Sequence, residues 1–302
     1  MYQVKTLNKI SPVGLAHLTE SYILTDKTED ADAILVRSQD MHEMEFSEKL
    51  EAIARAGAGV NNIPVDACAD KGIVVFNTPG ANANAVKELV LCGMLLASRN
   101  VPAALTWAKG LTEDVSKTVE KGKSQFAGHE ILGKTLGIVG FGHIGQTVSK
   151  LGAALGMKIL VYSRTKRELP ERYQWAELDA LFKNADVVSL HCPLTDETRG
   201  LVNAERLNLM KPTAFLINTA RGAVVDEAAL AEALNSGRIA GAGLDVLVHE
   251  PPKKDDPLLT AQNCIVTPHI AWASRDARVR LIKTVAENLK AFQNGTPQNV
   301  VS

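Results

Sequence analysis

This sequence has few cysteines, no long apolar run and no recognisable secretory signal. It has only four cysteines in 302 residues, widely spaced and without a Cys-x-x-Cys pair, which argues against a disulfide framework or a zinc site. The longest apolar stretch, from Leu89 to Ala97, is too short for a membrane helix, and the N-terminus lacks the pattern of a secretory signal. We therefore expect a cytoplasmic protein with no membrane span and no metal.

An excess of charge of either sign is also missing. The 33 Lys+Arg and 34 Asp+Glu residues leave a net charge of -1, so the chain has no long-range attraction for nucleic acid. Its 12 prolines and 46% hydrophobic residues lie in the ordinary range of globular proteins. Because one core seldom organises more than about 250 to 300 residues, the length predicts two domains.

Short runs of Val, Ile and Leu alternate with helical patterns along most of the chain, which predicts an α/β fold with parallel sheets. Long helices are predicted from Ala85 to Arg99 and after Ser274, whose hydroxyl can cap the helix. The segment from Val101 to Glu130 shows no strand alternation. Strands are predicted at Tyr2 to Leu7, Tyr22 to Thr25, Ala33 to Arg37, Ala52 to Ala56, Ile73 to Phe76, Thr135 to Gly140, Ile159 to Tyr162, Val187 to His191, Ala214 to Thr219, Gly241 to Val246 and Ile265 to Thr267.

A glycine-rich turn follows the first strand of the second series. Gly140 to Gly145 reads Gly-Phe-Gly-His-Ile-Gly and precedes a helix-compatible run. Gly140 permits a tight turn, Gly142 lets the backbone approach a pyrophosphate, and Gly145 lets the helix pack closely on the strand. The pattern predicts a dinucleotide-binding turn, with a ligand-free glycine turn as the alternative.

The next strand end carries no carboxylate at the position, about 20 residues on, where one would bind the adenosine ribose. Ser163 stands there instead and does not repel a 2′-phosphate, while the guanidinium of Arg164 can bind one. The sequence thus favours NADP(H), with NAD(H) possible. The alternative is a solvated basic loop.

Three further strand ends carry reactive side chains, at the edge where open α/β sheets bind ligands. Arg221 follows an apolar strand, where a guanidinium can hold a substrate carboxylate and polarise the neighbouring carbonyl. His269 follows Thr267-Pro268 and is suited to exchange a proton, and Glu250 precedes two prolines. Taken singly, each could equally be a surface or structural group.

With Gly243-Leu244-Asp245-Val246, these motifs stand in the order and approximate spacing of the D-isomer-specific 2-hydroxyacid dehydrogenases, which the chain resembles nearly end to end. The resemblance implies two doubly wound parallel-sheet domains. A Rossmann-type NAD(P)-binding domain at 99–271 would be inserted into a flavodoxin-like substrate domain at 1–98 and 272–302. It also implies hydride transfer between the cofactor and a small 2-hydroxy or 2-oxo acid.

The same resemblance implies roles for individual residues. Arg221 would position the substrate, His269 would exchange the proton, and Glu250 would pair with His269. Asp245 would contact the nicotinamide carboxamide, and His191 is interpreted as structural. Cofactor contacts are expected at Gly140, Gly142, His143, Ile144, Gly145, Ser163, Arg164, Thr165, Cys192, Pro193, Thr219, Ala220, Asp245 and Ala271.

The remaining substrate contacts are expected near the N-terminus. Backbone N–H groups at Ala58, Gly59 and Val60 resemble the family's carboxylate cradle. Two predicted neighbouring strands, about 4.8 Å apart, end in Arg37, which Ser38 follows, and in Arg55. We expect the two arginines to converge on one anion, such as a phosphate. The alternative is that both are ordinary surface charges.

Both arginines match the D-3-phosphoglycerate dehydrogenase branch, so the favoured substrate is D-3-phosphoglycerate or, in reverse, 3-phosphohydroxypyruvate. Trp272 and the following helix are more similar to glycerate and hydroxypyruvate dehydrogenases, which makes a glycerate dehydrogenase or hydroxypyruvate/glyoxylate reductase the alternative. A nicotinamide-sensing, corepressor-like binding protein is the non-enzymatic alternative. A homodimer is expected, and feedback by serine is not, since the chain stops at Ser302.

Overall fold

The structure is a computed structural model that describes residues 1–8, 10, 15–18 and 20–302. Its contacts divide the chain into two compact units, 1–85 with 272–302 and 86–271. Segment 86–98, which the sequence assigned to the first unit, belongs to the second. The reason is packing, because Val86, Val90 and Met94 lie in a core cluster with strand residues of the second unit.

The secondary structure of the described residues consists of strands joined mainly by helices. The strands are β1 (Tyr2–Thr6), β2 (Tyr22–Thr25), β3 (Ala33–Val36), β4 (Ala52–Arg55), β5 (Val74–Phe76), β6 (Thr135–Val139), β7 (Lys158–Tyr162), β8 (Tyr173–Trp175), β9 (Val187–Leu190), β10 (Phe215–Asn218), β11 (Gly241–Leu244) and β12 (Cys264–Val266). The α-helices are α1 (Val65–Asp70), α2 (Ala83–Ser98), α3 (Val101–Lys109), α4 (Val115–Gly122), α5 (His143–Ala154), α6 (Leu178–Asn184), α7 (Ala204–Leu209), α8 (Glu227–Asn235) and α9 (Arg275–Gln293).

The first unit contains a parallel sheet in the order β2-β1-β3-β4-β5, the flavodoxin-like arrangement that the sequence predicted. Strand β3 is buried at all four positions because both faces of the sheet are covered. Ala33 and Leu35 pack in a cluster with residues of α9, whereas Ile34 and Val36 pack in a second cluster. The Ser274 hydroxyl accepts a hydrogen bond from the Ala277 N–H at 3.1 Å, so the predicted cap of α9 is confirmed.

The second unit contains a parallel sheet in the order β12-β11-β10-β9-β6-β7-β8. The strand order reverses between β6 and β9, which is where doubly wound folds bind dinucleotides. Strand β8 was missed in the sequence because it has only three residues and follows a charged, proline-containing segment without alternation. Helices α3 and α4 occupy the segment predicted to lack strands.

Five strands of this sheet end in register at its carboxyl edge. The pairing aligns Val139 of β6, Leu190 of β9, Asn218 of β10, Leu244 of β11 and Val266 of β12. The residues that follow them begin neighbouring loops and are Gly140, His191, Thr219, Asp245 and Thr267. Tertiary structure thus brings three predicted cofactor residues into one row.

None of the described helices is long and apolar enough to cross a membrane alone. Helices α2 and α3 meet at an angle of 67°, and only together do they have the length and apolar composition of a membrane span.

Candidate active site

The glycine turn after β6 has the geometry that a phosphate-binding turn needs. Gly140 has a φ of 97°, and a Cβ added there would lie 2.6 Å from the backbone of His191 and Cys192. A Cβ on Gly145 would collide with the Gly140 carbonyl oxygen. Both glycines are therefore required by protein packing.

Gly142 differs, because a Cβ there would meet no heavy atom within 4 Å. It directly precedes α5, whose first turn carries no acidic side chain. The first N–H groups of a helix have no intrahelical partner and favour an anion. The open space at Gly142 and the helix start thus fit a dinucleotide pyrophosphate, and His143 and Ile144 lie in that first turn.

The loop after β7 places the residues predicted to select the cofactor on the surface. The Ser163 hydroxyl donates to the Thr165 carbonyl at 2.7 Å, which fixes the local turn. The Arg164 side chain is 84% exposed, and its Nη1 lies 3.5 Å from a carboxylate oxygen of Glu197. Such an exposed contact is weak, so it leaves Arg164 available to a stronger anion.

His269 and Glu250 form a close pair. His269 Nδ1 lies 2.6 Å from Glu250 Oε2, and the Leu247 N–H donates to Glu250 Oε1 at 3.2 Å. Burial alone would raise the pKa of Glu250, but its hydrogen bond to His269 and the charges of His269 and Arg221 lower it. The carboxylate therefore occupies Nδ1 and leaves Nε2 as the histidine nitrogen available to a substrate.

The His269 backbone adopts a left-handed conformation with a φ of 53°. Asp245 supports this turn, because its Oδ1 accepts from the Thr267 hydroxyl at 2.6 Å and the Ile270 N–H at 2.8 Å, and its Oδ2 accepts from the Ala271 N–H at 2.8 Å. Three of the four carboxylate lone pairs are thus used within the protein. The contact with the nicotinamide carboxamide that the family resemblance implied for Asp245 stays a prediction.

Arg221 lies at the end of β10 in a turn held by Asn218. Asn218 accepts from the Ala220 N–H at 3.0 Å and donates to the Arg221 carbonyl at 2.9 Å. Arg221 Nη1 donates to the Ala220 carbonyl at 2.7 Å, and burial lowers the pKa of the guanidinium while Glu250 raises it. The sequence analysis gave Asn218 no role, although a side-chain amide three positions before Arg221 could have indicated a hydrogen-bonded turn.

Gly222 brings the Arg221 turn against the loop that carries Glu250. A Cβ at Gly222 would collide with the backbone of Leu247. Any larger residue would therefore separate the two loops. The three residues predicted to be catalytic thus share one edge of the second sheet, on the loops after β10, β11 and β12.

Two buried polar atoms at this edge lack a hydrogen-bond partner among the described residues, His191 Nδ1 and Thr219 Oγ1. The Ser189 hydroxyl lies 2.9 Å from His191 Nε2, and burial lowers the pKa of His191 to about 3. A neutral, buried ring is consistent with the structural interpretation of His191. Cys192 is buried beside the Gly140 turn, and Pro193 follows it.

The substrate residues expected in the first unit lie in two loops. Asn8 Oδ1 accepts from the N–H groups of Arg37, Ser38 and Gln39, so these amides are engaged within the protein. The predicted carboxylate cradle follows β4 and consists of the backbone N–H groups of Ala58, Gly59 and Val60. No described residue accepts a hydrogen bond from these N–H groups.

The strand register does not favour the expected convergence of Arg37 and Arg55 on one anion, and that convergence stays a prediction. Strand β3 pairs with β4 so that Val36 lies opposite Arg55, which places Arg37 out of phase by one residue. Side chains alternate between the faces of a strand, so the two arginines leave the sheet on opposite faces. Arg55 folds over Gly57, whereas Arg37 stacks 4.8 Å from the ring centre of Trp272.

Comparison with known proteins shows the family. A protein-family model described as "D-isomer specific 2-hydroxyacid dehydrogenase, NAD binding domain" matches residues 91–271 of the chain. The chain is 40% identical to a D-3-phosphoglycerate dehydrogenase of Methanocaldococcus jannaschii over 99% of its own length, although it spans only 57% of that relative. It is 39% identical to a glyoxylate reductase of Thermococcus litoralis, covering 93% of this chain and 86% of the relative.

A solved structure gives the same result. The NADPH-dependent glyoxylate/hydroxypyruvate reductase of Sinorhizobium meliloti, in complex with citrate, superposes with a TM-score of 0.88 at 30% identity, over 100% of this chain and 98% of that one. The chain belongs to the D-isomer-specific 2-hydroxyacid dehydrogenase family. Its relatives divide between phosphoglycerate dehydrogenases and glyoxylate or hydroxypyruvate reductases.

Proposed function

We propose that the protein is an NAD(P)-dependent D-2-hydroxyacid dehydrogenase that interconverts D-3-phosphoglycerate and 3-phosphohydroxypyruvate. The pair formed by His269 and Glu250 at 2.6 Å carries the proposal, with Arg221 on the neighbouring loop. A base held by a carboxylate beside a carboxylate-binding guanidinium is what oxidation of a hydroxy acid requires.

In the reductive direction Arg221 binds the substrate carboxylate and polarises the adjacent carbonyl. His269, protonated and held at Nδ1 by Glu250, donates the Nε2 proton to the carbonyl oxygen. In the oxidative direction the neutral ring removes the same proton from the hydroxyl. The nicotinamide ring, when bound, supplies or accepts the hydride at the substrate carbon.

NADP(H) is the proposed preferred cofactor, because no carboxylate occupies the strand end at Ser163 and Arg164 is exposed. The test compares Arg164→Ala with Arg167→Ala, a control in the same exposed loop. Arg164→Ala should lower kcat/KM for NADPH by roughly tenfold and leave NADH within a factor of two, since a bound phosphate loses a charged partner. Equal NADPH and NADH efficiencies in the wild type, unchanged by Arg164→Ala, would exclude the preference.

The substrate is tested by steady-state rates with 3-phosphohydroxypyruvate, hydroxypyruvate and glyoxylate, each with both cofactors. The proposal expects the phosphate to improve kcat/KM by more than about tenfold, or about 1.4 kcal/mol of transition-state binding. A smaller advantage would favour the second candidate. That candidate is a glycerate dehydrogenase or hydroxypyruvate/glyoxylate reductase, and it is supported by Trp272 and by the relatives that carry those names.

A homodimer is also proposed. Helices α2, α3 and α4 of the second unit expose apolar side chains that a second copy would cover, among them Leu95, Leu105 and Val115. Light scattering of the purified chain should give twice the mass of 32.4 kDa. A single-copy mass at micromolar concentration would contradict the dimer.

A further inference from the structure

Asn218 holds the backbone on both sides of a single peptide bond in the Arg221 turn. Its Oδ1 accepts from the Ala220 N–H at 3.0 Å, and its Nδ2 donates to the Arg221 carbonyl at 2.9 Å. These two groups belong to the peptide bonds before and after the one that joins Ala220 to Arg221. The asparagine therefore fixes the orientation of the peptide between them, whose carbonyl is that of Ala220.

The carbonyl of this middle peptide holds the guanidinium. Arg221 Nη1 donates to the Ala220 carbonyl oxygen at 2.7 Å. A guanidinium is planar and carries its five N–H donors in a rigid fork. Because one nitrogen is held, the directions of the other donors are restricted. Asn218 is thus linked to the guanidinium of Arg221 through one peptide.

The asparagine itself is fixed by the sheet. Asn218 is the last residue of β10 and is paired in register with Leu190 of β9 and Leu244 of β11. It is 1% exposed, and its backbone carbonyl accepts from the Asp245 N–H at 2.9 Å. A buried amide costs free energy unless it is hydrogen-bonded. Both polar groups of this side chain form their hydrogen bonds within the Arg221 turn.

We propose that Asn218 is a positioning residue for the reaction, which directs the guanidinium of Arg221 at the carboxylate of the 2-oxo acid. A guanidinium binds a carboxylate best through two parallel N–H···O bonds, so a rotation of the fork weakens both. A displacement of about 1 Å at a positioned group can lower the rate about 100-fold. The assignment rests on the proposed function, which takes Arg221 as the carboxylate-binding group.

The first test is a series of substitutions at position 218. A serine hydroxyl can replace the hydrogen bond to the N–H two residues later only weakly, and alanine replaces neither hydrogen bond. KM for hydroxypyruvate should rise at least fivefold in Asn218→Ala and by a smaller factor in Asn218→Ser. An asparagine that only supports folding would instead lower kcat through a smaller folded fraction and leave KM unchanged, and that result would overturn the assignment.

Asn203→Ala is the matched control. Asn203 lies in the same unit, and its side chain accepts from the Arg206 N–H at 3.1 Å, so its replacement also removes an asparagine hydrogen bond to the backbone. It makes no hydrogen bond to the Arg221 turn. This variant should keep KM for hydroxypyruvate within twofold. Thermal unfolding of every variant measures the folded fraction, and Asn218→Ser carries the test if Asn218→Ala does not fold.

A double-mutant cycle shows whether Asn218 acts through Arg221. The cycle measures kcat/KM for hydroxypyruvate in the wild type, Asn218→Ala, Arg221→Gln and the double variant. Asn218→Ala should lower kcat/KM at least fivefold when Arg221 is present and less than twofold in the Arg221→Gln background. Equal losses in the two backgrounds would show that Asn218 acts independently of the guanidinium and would overturn the assignment.

A binding measurement separates this assignment from the proposed function. Oxamate is a carboxylate analogue of a 2-oxo acid, and calorimetry with NAD(P)H present gives its affinity for the same four proteins without turnover. Absence of NAD(P)H oxidation with every oxo acid would remove the proposed function, yet oxamate binding that depends on Asn218 only when Arg221 is present would still support the positioning role. Turnover that falls in Arg221→Gln but not in Asn218→Ala would remove the positioning role and keep the function.

Discussion

Replacing Glu250 by Gln tests the central pair of the site directly. The change removes one negative charge 2.6 Å from His269 Nδ1 and retains one amide oxygen, which can accept from either the ring or the Leu247 N–H but not at both carboxylate positions. A hydrogen bond to a charged group contributes about 1.5 to 3 kcal/mol. Because the two side chains are 43% and 37% exposed, solvent screening favours the lower end of that range.

About 1.5 kcal/mol corresponds to a roughly tenfold loss of kcat/KM for oxo-acid reduction. The assay is NADPH oxidation with hydroxypyruvate and 3-phosphohydroxypyruvate.

Glu227→Gln is the matched control. Glu227 Oε1 accepts from the Val248 N–H at 2.7 Å in the same loop, as Glu250 Oε1 does from Leu247, but Glu227 makes no hydrogen bond to His269. The Glu227→Gln variant should therefore reduce oxo acids at a rate within twofold of the wild-type rate. If both variants show the same rate, the carboxylate does not assist His269 and the proposed acid–base pair is refuted.

Three further outcomes are expected. Gly145→Ala should lower the free energy of unfolding by about 1 to 3 kcal/mol through overpacking, whereas Gly142→Ala should keep stability and weaken cofactor binding at least tenfold, as shown by denaturant titration and fluorescence. His191→Asn should flatten the fall in stability from pH 6.5 toward pH 3, because the native ring, with its pKa lowered to about 3, stays neutral while the unfolded ring binds a proton. Ser274→Ala should cost about 1 kcal/mol in chemical denaturation through loss of the α9 cap.

Each of these outcomes has a clear opposite. Equal loss of stability in Gly142→Ala and Gly145→Ala would contradict the open space at Gly142. An unchanged pH slope in His191→Asn would show that the ring titrates in the native state. Ser274→Ala with wild-type stability would show that the hydroxyl does not support α9.

The strand positions and the glycine turn could be predicted because their signals are local. Apolar runs reveal buried parallel strands, and Gly140 to Gly145 carries its phosphate-binding pattern within six residues. The common location of Arg221, Glu250 and His269 could be predicted because each follows a strand that a parallel sheet brings to one edge. Strand β8 escaped because three residues are too few to show alternation.

Register and long-range contacts could not be read from the chain. Arg37 and Arg55 stand at neighbouring strand ends, but a shift of one residue in pairing places them on opposite faces. Arg37 and Arg278 are 241 positions apart, yet both lie against the Trp272 ring because α9 packs on the first sheet. Asn8 and Asn218 likewise owe their roles to loops that only the folded chain forms.

The amino-acid sequence alone therefore determined the fold class and the dinucleotide turn, because periodicity and short motifs encode them locally. The acid–base roles were implied by the family resemblance and stay predictions. Tertiary structure decided which atoms meet, including the pairing of His269 Nδ1 with Glu250, the support of the His269 turn by Asp245 and the stacking of Arg37 and Arg278 on Trp272. These depend on strand register and on packing between distant segments. Neither is set by any local stretch of residues.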